Sequence, residues 1–105
     1  AQTGTGKTAA FMLPLLHETL KDEKKKTLVL APTRELAIQI VEEMRKLAKG
    51  HKIFSTSCVG GMHIGPQIRS LHRVNHFIIG TPGRIMDLIN RGHIKTEEFT
   101  SQTST

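Results

Sequence analysis

The first eight residues, Ala1-Gln2-Thr3-Gly4-Thr5-Gly6-Lys7-Thr8, constrain this chain more than any other stretch. They carry the glycine-rich loop, lysine and hydroxyl of a phosphate-binding P-loop, with Ala1 where the general pattern has its first glycine. Such a loop must approach a triphosphate closely, so Gly4 and Gly6 remove side chains where backbone N–H groups have to face phosphate oxygens. Lys7 brings a point charge within reach of the β and γ oxygens, and the Thr8 hydroxyl is the type of ligand that helps to hold Mg²⁺. A helix from about Lys7 onward would add the favourable potential of its N-terminus at the same anion. A match of this kind arises by chance in roughly 1 in 100 chains this short. Gly4, Gly6 and Ala9 also satisfy a dinucleotide fingerprint, but that reading requires an acidic residue about 20 positions on to hold a ribose. The next strand ends instead in Ala31-Pro32-Thr33-Arg34.

A P-loop joins a strand to a helix, and the remaining sequence continues that alternation. From Lys7 to about Lys21 the apolar residues Ala10, Phe11, Leu13, Leu15, Leu16 and Leu20 favour one helical face. Pro14 interrupts this face and predicts a kink, with room for two unequal segments. The charged run from Lys21 to Lys26 reads as a solvated loop. Thr27-Leu28-Val29-Leu30-Ala31 is short and continuously apolar, as strands buried in parallel sheets are. Thr33 is a suitable N-cap for a helix in which Leu36, Ala37, Ile40, Val41, Met44, Leu47 and Ala48 recur at three- and four-residue spacing, and Gly50 suits a left-handed close. Lys52 to Val59 reads as a second strand followed by Gly60-Gly61, Pro66 to His72 as a short helix burying Ile68 and Leu71, and His76 to Ile79 as a third strand. Gly80-Thr81-Pro82-Gly83-Arg84 then leads into a helix with Ile85, Met86, Leu88 and Ile89 on its apolar side, and Gly92 can close it. The expected fold is α/β: a parallel sheet with flanking helices joined by right-handed crossovers. All strands of such a sheet end at one edge, which gathers the P-loop, 32–37, Gly60-Gly61 and 81–84 into one rim.

Composition narrows the partners. The 105 residues suffice for one domain, and 15 Lys plus Arg against 9 Asp plus Glu give a formal charge of +6, which suits a polyanion. With four Phe and no Trp or Tyr, stacking platforms are scarce, so contact with a nucleic acid strand should be mainly to its backbone. Cys58 is the single cysteine, which rules out an internal disulfide. No apolar run reaches the roughly 18 residues of a spanning helix and no signal-peptide pattern is present. The expectation is a soluble intracellular protein, cytoplasmic with the nucleus left open, and without membrane association.

The motifs together resemble those of the DEAD-box ATP-dependent RNA helicases, in the first of their two RecA-like (P-loop NTPase) domains. The resemblance rests on Ala1 to Thr8 (motif I), Pro32-Thr33-Arg34-Glu35-Leu36-Ala37 (motif Ia), Gly60-Gly61 (the GG element) and Thr81-Pro82-Gly83-Arg84 (motif Ib), in order and spacing over roughly residues 1 to 95. It implies ATP held by Thr3, Gly4, Thr5, Gly6, Lys7 and Thr8, with Lys7 and Thr8 in catalytic roles and Thr8 on Mg²⁺. It further implies contacts of Arg34, Gly61, Thr81, Gly83 and Arg84 with the sugar-phosphate backbone of RNA, independent of sequence, and a second RecA-like domain as partner. Arg34 and Arg84 also lie at helix starts, where free N–H groups take phosphate oxygens; the alternative is that they only cap or pair within the fold.

The family's Q motif, Asp-Glu-Ala-Asp and Ser-Ala-Thr segments and second domain do not occur in these 105 residues. The chain therefore reads as a fragment holding an incomplete RecA-like domain over 1–95 and a polar tail over 96–105, expected to be disordered because 100–105 offer no apolar side chain. The parent is expected to be an RNA-dependent ATPase; the isolated fragment is expected to be inactive and marginally stable. The alternative is a catalytically dead nucleotide- or RNA-binding module. His72 and His76 are expected to be surface histidines, Cys58 a small buried hydrophobe, and the Met residues core filler.

Overall fold

The computed structural model describes residues 4–104, with side chains described from Ala10 onward apart from that of Ser101. In chain order the elements are α1 (Gly4–Lys21), β1 (Thr27–Leu30), α2 (Arg34–Leu47), β2 (Ser55–Cys58), α3 (Ile64–Leu71), β3 (Phe77–Gly80), α4 (Pro82–Asn90), a 3-10 turn (Thr96–Glu98) and β4 (Ser101–Ser104). The strands form one sheet in the order β2-β3-β1-β4, and every pairing is parallel.

Alternation within the apolar strands feeds two cores. Val29, Phe77 and Ile79 turn to one face, where Met12 and Leu16 of α1 and Ala37, Ile40, Val41 and Met44 of α2 cover them. Leu28, Cys58 and Ile78 turn to the other face, against Ile85 and Leu88 of α4 and Ile64, Ile68 and Leu71 of α3. Burial on both faces is the physical reason that β1 and β3 are continuously apolar. The chain crosses from β1 to β2 under α2 on one face, and returns through β3 to β4 under α3 and α4 on the other. Opposite directions of travel on opposite faces are what a single crossover hand requires.

Local signals set the helix ends. Thr33 caps α2, its Oγ1 accepting the Leu36 N–H at 3.1 Å. Gly50 and Gly92 adopt φ of +91° and +82° beyond the ends of α2 and α4, the left-handed region that favours glycine. Pro14 lies inside α1, which is one helix and not two segments, and this helix begins at Gly4, three residues before the expected Lys7.

The largest departure from expectation is at the end of the chain. In place of a disordered polar tail, Ser101–Ser104 form β4 beside β1, with Thr27 opposite Ser101 and Leu30 opposite Ser104. Backbone groups make this ladder, so it does not need apolar side chains. Its entry is fixed through Lys26, whose carbonyl accepts both the N–H and the hydroxyl of Thr100, at 2.9 and 3.1 Å, while its ammonium meets Glu98 at 3.4 Å. A composition argument judges side chains alone and misses a strand recruited by the open edge of its neighbour.

Candidate functional site

Parallel strands place the segments that follow β1, β2 and β3 at one edge of the sheet, and these segments interlock. The residue before the turn after β3 is Gly80, where an added Cβ would collide with the Cys58 carbonyl and lie 2.7 Å from Ile85 Cδ1. The Thr81 N–H donates to that same carbonyl at 3.1 Å. Thr81 also occupies the N-cap position of α4, yet its hydroxyl makes no cap bond and instead accepts the Gly60 N–H at 3.2 Å. The segment after β2 is thereby fastened to the start of α4.

Arg84 fastens it a second time. Its Nη1 donates to the Met62 carbonyl at 3.0 Å and to Gln67 Oε1 at 2.9 Å. Gln67 is buried in α3, and its Nε2 donates to the Val59 carbonyl at 3.1 Å. The sequence singled out Ile68 and Leu71 of this helix and passed over Gln67, the residue that joins the segment after β2 to α3 and α4. An unremarkable polar position gives no sign that its partner lies in the turn after the next strand.

Arg34 approaches from the other side. Gly61 has φ of +80°, the left-handed region that favours glycine, and a Cβ built there would lie 2.7 Å from Arg34 Nη1, so the exposed guanidinium would have to shift aside. Arg34 is exposed, with Glu35 as its ion-pair partner at 3.6 Å. Gly83 is exposed, and no atom lies within 4 Å of the Cβ position there. Arg34, Gly61, Thr81, Gly83 and Arg84 thus share one rim that combines two guanidiniums, bare backbone and the starts of α2 and α4. Guanidinium and free helix-start N–H groups are hydrogen-bond donors of the kind that anions accept from.

Thr3 lies outside the described residues. Gly4 to Thr8 are described as backbone in the first turns of α1, and the side chains of Lys7 and Thr8 lie outside the described set. The first four N–H groups of a helix have no intrahelical acceptor, so those of Gly4, Thr5, Gly6 and Lys7 suit a phosphate donor set. Among the described residues there is no cluster of three His, Cys, Asp or Glu side chains that could hold a metal ion, and no helix long and apolar enough to cross a membrane.

Two other side chains are decided by burial. The Cys58 thiol is fully buried and its pKa is pushed up to about 12 by desolvation, with Arg84 pulling weakly the other way, so it is not a nucleophile at neutral pH. His76 was expected at the surface and is instead buried, because the Phe54 N–H donates to its Nδ1 at 3.0 Å. Burial lowers its pKa from the ordinary value. His72 does not join it; its ring meets that of His93 edge-on, with centroids 5.8 Å apart.

Known proteins share both sequence and fold. The profile of the DEAD/DEAH box helicase family matches residues 1–103. A DEAD-box ATP-dependent RNA helicase, CshA of Geobacillus kaustophilus, is 49% identical over 98 residues, which are 92% of this chain and 21% of that protein. The crystal structure of a hypothetical ATP-dependent RNA helicase from Sulfolobus tokodaii superposes with a TM-score of 0.85 at 33% identity, covering 99% of this chain and 30% of that one. S. cerevisiae Dbp5, solved with RNA and ADP BeF3 bound, gives a TM-score of 0.75 at 33% identity over 99% of this chain and 26% of its own. The chain therefore spans about a fifth to a third of the length of these relatives, and its parallel sheet with flanking helices matches their RecA-like domains.

Proposed function

The chain belongs to the DEAD/DEAH box helicase family, and from that premise we propose that it supplies the ATP grip and half of the RNA rim of an ATP-dependent RNA helicase. The observation that carries this reading is the interlock of the rim: Arg34 against Gly61, Gly60 on Thr81, and Arg84 on Met62. Three segments far apart in sequence are held so that glycine backbone, the starts of α2 and α4 and the Arg34 guanidinium come to the same edge, with Arg84 fastening the segment after β2.

In this reading Thr3, Gly4, Thr5, Gly6, Lys7 and Thr8 enclose the triphosphate. Lys7 offsets charge on the β and γ oxygens and Thr8 contributes a hydroxyl to Mg²⁺, which when bound supplies charge neutralisation between those phosphates. Arg34, Gly61, Thr81, Gly83 and Arg84 hold an RNA strand by its sugar-phosphate backbone, and so position it without reading its sequence. A second RecA-like domain in the same protein is the partner that closes over ATP and RNA, and a reducing cytoplasm suits the buried free thiol of Cys58.

The test is RNA-stimulated ATP hydrolysis by the complete protein that carries this sequence. Lys7→Ala should lower the rate by about 10² to 10³, the loss of one transition-state charge contact. An unchanged rate would remove the P-loop assignment. Tight binding of ATP and RNA with no phosphate release in the unmodified protein would show a binding module in place of an enzyme.

A further inference from the structure

A groove runs along the outer edge of the sheet and reaches the segment after β2. A cavity of about 930 Å³ is bounded by Arg45 of α2, by Ser55–Ser57 of β2, by Pro66, Gln67 and Ser70 of α3 and by the turn at 73–75. Because α2 and α3 cover opposite faces of the sheet, a space touched by both must lie beyond the sheet's edge and not on either face. Asn75 fixes the turn, donating through Nδ2 to the carbonyls of Ser70 and Arg73 at 2.8 and 3.1 Å, and its Oδ1 accepts the Thr56 hydroxyl.

The strand that floors this groove has a free side. β2 is outermost in the sheet and pairs only with β3. Alternate residues of a strand turn both backbone groups the same way. The Phe54 carbonyl accepts from His76 and Phe77, and the Cys58 carbonyl accepts from Thr81, so the even-numbered positions face β3. Ser55 and Ser57 therefore direct N–H and C=O outward into the groove. The walls add chemistry to this edge. Phe54, Met62 and Val74, at 49%, 52% and 68% exposure, are three of the six large exposed apolar side chains among the described residues, and all three line it. The charged side chains on the lining are Arg45 and Arg73, with His63 beside them and no carboxylate, and neither arginine is in an ion pair among the described residues.

We infer that this edge takes up an extended acidic segment of a partner protein, which adds as a further strand beside Ser55–Cys58. An incoming strand matches the alternating donors and acceptors of Ser55 and Ser57, its apolar side chains meet Phe54, Met62 and Val74, and its carboxylates meet Arg45 and Arg73. A second copy of this chain would bring the same cations against them. An RNA strand would satisfy the N–H groups but set phosphates against the outward carbonyls.

The test uses the complete protein and an acetylated, amidated peptide of about eight residues that alternates Val or Thr with Asp or Glu, long enough for one short strand. Binding should slow amide exchange at Ser55 and Ser57, and Arg45→Glu with Arg73→Glu should weaken it about tenfold at low salt and less at high salt. Both arginines are exposed, so the variant should fold. Two control peptides leave the protein untouched. One carries Lys at the acidic positions, and one is N-methylated at the amides that would pair with the strand; both should fail to bind. Equal binding of the Lys peptide would overturn the charge preference, and equal binding of the N-methylated peptide would overturn strand addition. Binding of none of them would mean that the arginines only keep the edge from pairing. Protection of Ser55 and Ser57 by a single-stranded oligouridine, and not by the acidic peptide, would replace the protein partner with RNA.

Discussion

Arg34 and Arg84 each lie in the first turn of a helix that follows a parallel strand, and each helix has a threonine at its N-cap position, yet the two regions are built differently. At the start of α2 the demands are met locally: Thr33 caps its own helix, and the Arg34 side chain stays exposed over Gly61. At the start of α4 the same residue types face inward on their neighbours. The Thr81 hydroxyl accepts the Gly60 N–H, and the Arg84 guanidinium donates to the Met62 carbonyl and to Gln67 Oε1. One region presents a cation, and the other spends its cation on holding a loop in place. Two arginines implied as equivalent phosphate contacts therefore differ in how much of the fold depends on them.

The sharpest way to break the interlocked region is Gly80→Ala. The new Cβ has no room between the Cys58 carbonyl and Ile85, whereas Leu30, its register partner in β1, carries a full side chain. We expect a loss of about 3 kcal/mol or more in urea unfolding, since backbone must move. A variant as stable as the parent would show that the ends of β2 and β3 are not this close.

Arg84→Ala comes next. It leaves the Gln67 amide oxygen and the Met62 carbonyl without their donor, at a cost on the order of 1 to 2 kcal/mol. Combined with Gln67→Ala, the two losses should fall short of additivity by about 1 kcal/mol. Strict additivity in that cycle would mean that the pair does not couple the loop to the helix, and the contrast with Arg34 would collapse.

Acid should act at the opposite end of β3, through His76 at its entry. Burial lowers its pKa, and its Nδ1 must stay unprotonated to accept from Phe54. Between that lowered value and the ordinary one near 6.5, the unfolded chain binds more protons than the folded one, so stability rises with pH across this window. The contribution is complete above about pH 6.5 and is lost as pH falls through the folded value. Melting temperatures measured against pH should show this slope in the parent and not in His76→Phe; a flat profile in the parent would contradict the buried acceptor.

The smallest effect on stability should come from Arg34→Ala, within about 0.5 kcal/mol for an exposed side chain. Its effect should appear in binding. Titrations of single-stranded RNA at several salt concentrations should give a slope shallower by about 0.7, equally for different sequences. An unchanged slope with folding intact would mean that Arg34 does not meet phosphate, and the presented cation would lose its proposed role.

Legibility followed the range of the forces involved. The start of α2 was readable because its cap, apolar spacing and closing glycine all act within a few residues. Gly50 and Gly92 were readable for the same reason, as a positive φ limits which residue can stand there. His76 was misread because a histidine beside apolar residues looks the same whether it faces water or accepts a backbone N–H from 22 residues earlier.

By itself the sequence determined the alternation of strands and helices and the family, because these rest on residue types at fixed short spacing. Only the tertiary structure decided that Thr81 and Arg84 turn inward through Gly60 and Gln67, that the polar residues Ser101–Ser104 extend the sheet, and that β2 is left with a cationic open edge. The physical reason is that hydrogen bonds between strand neighbours and across loops depend on which segments the sheet order brings together, and no local pattern of side chains records that order.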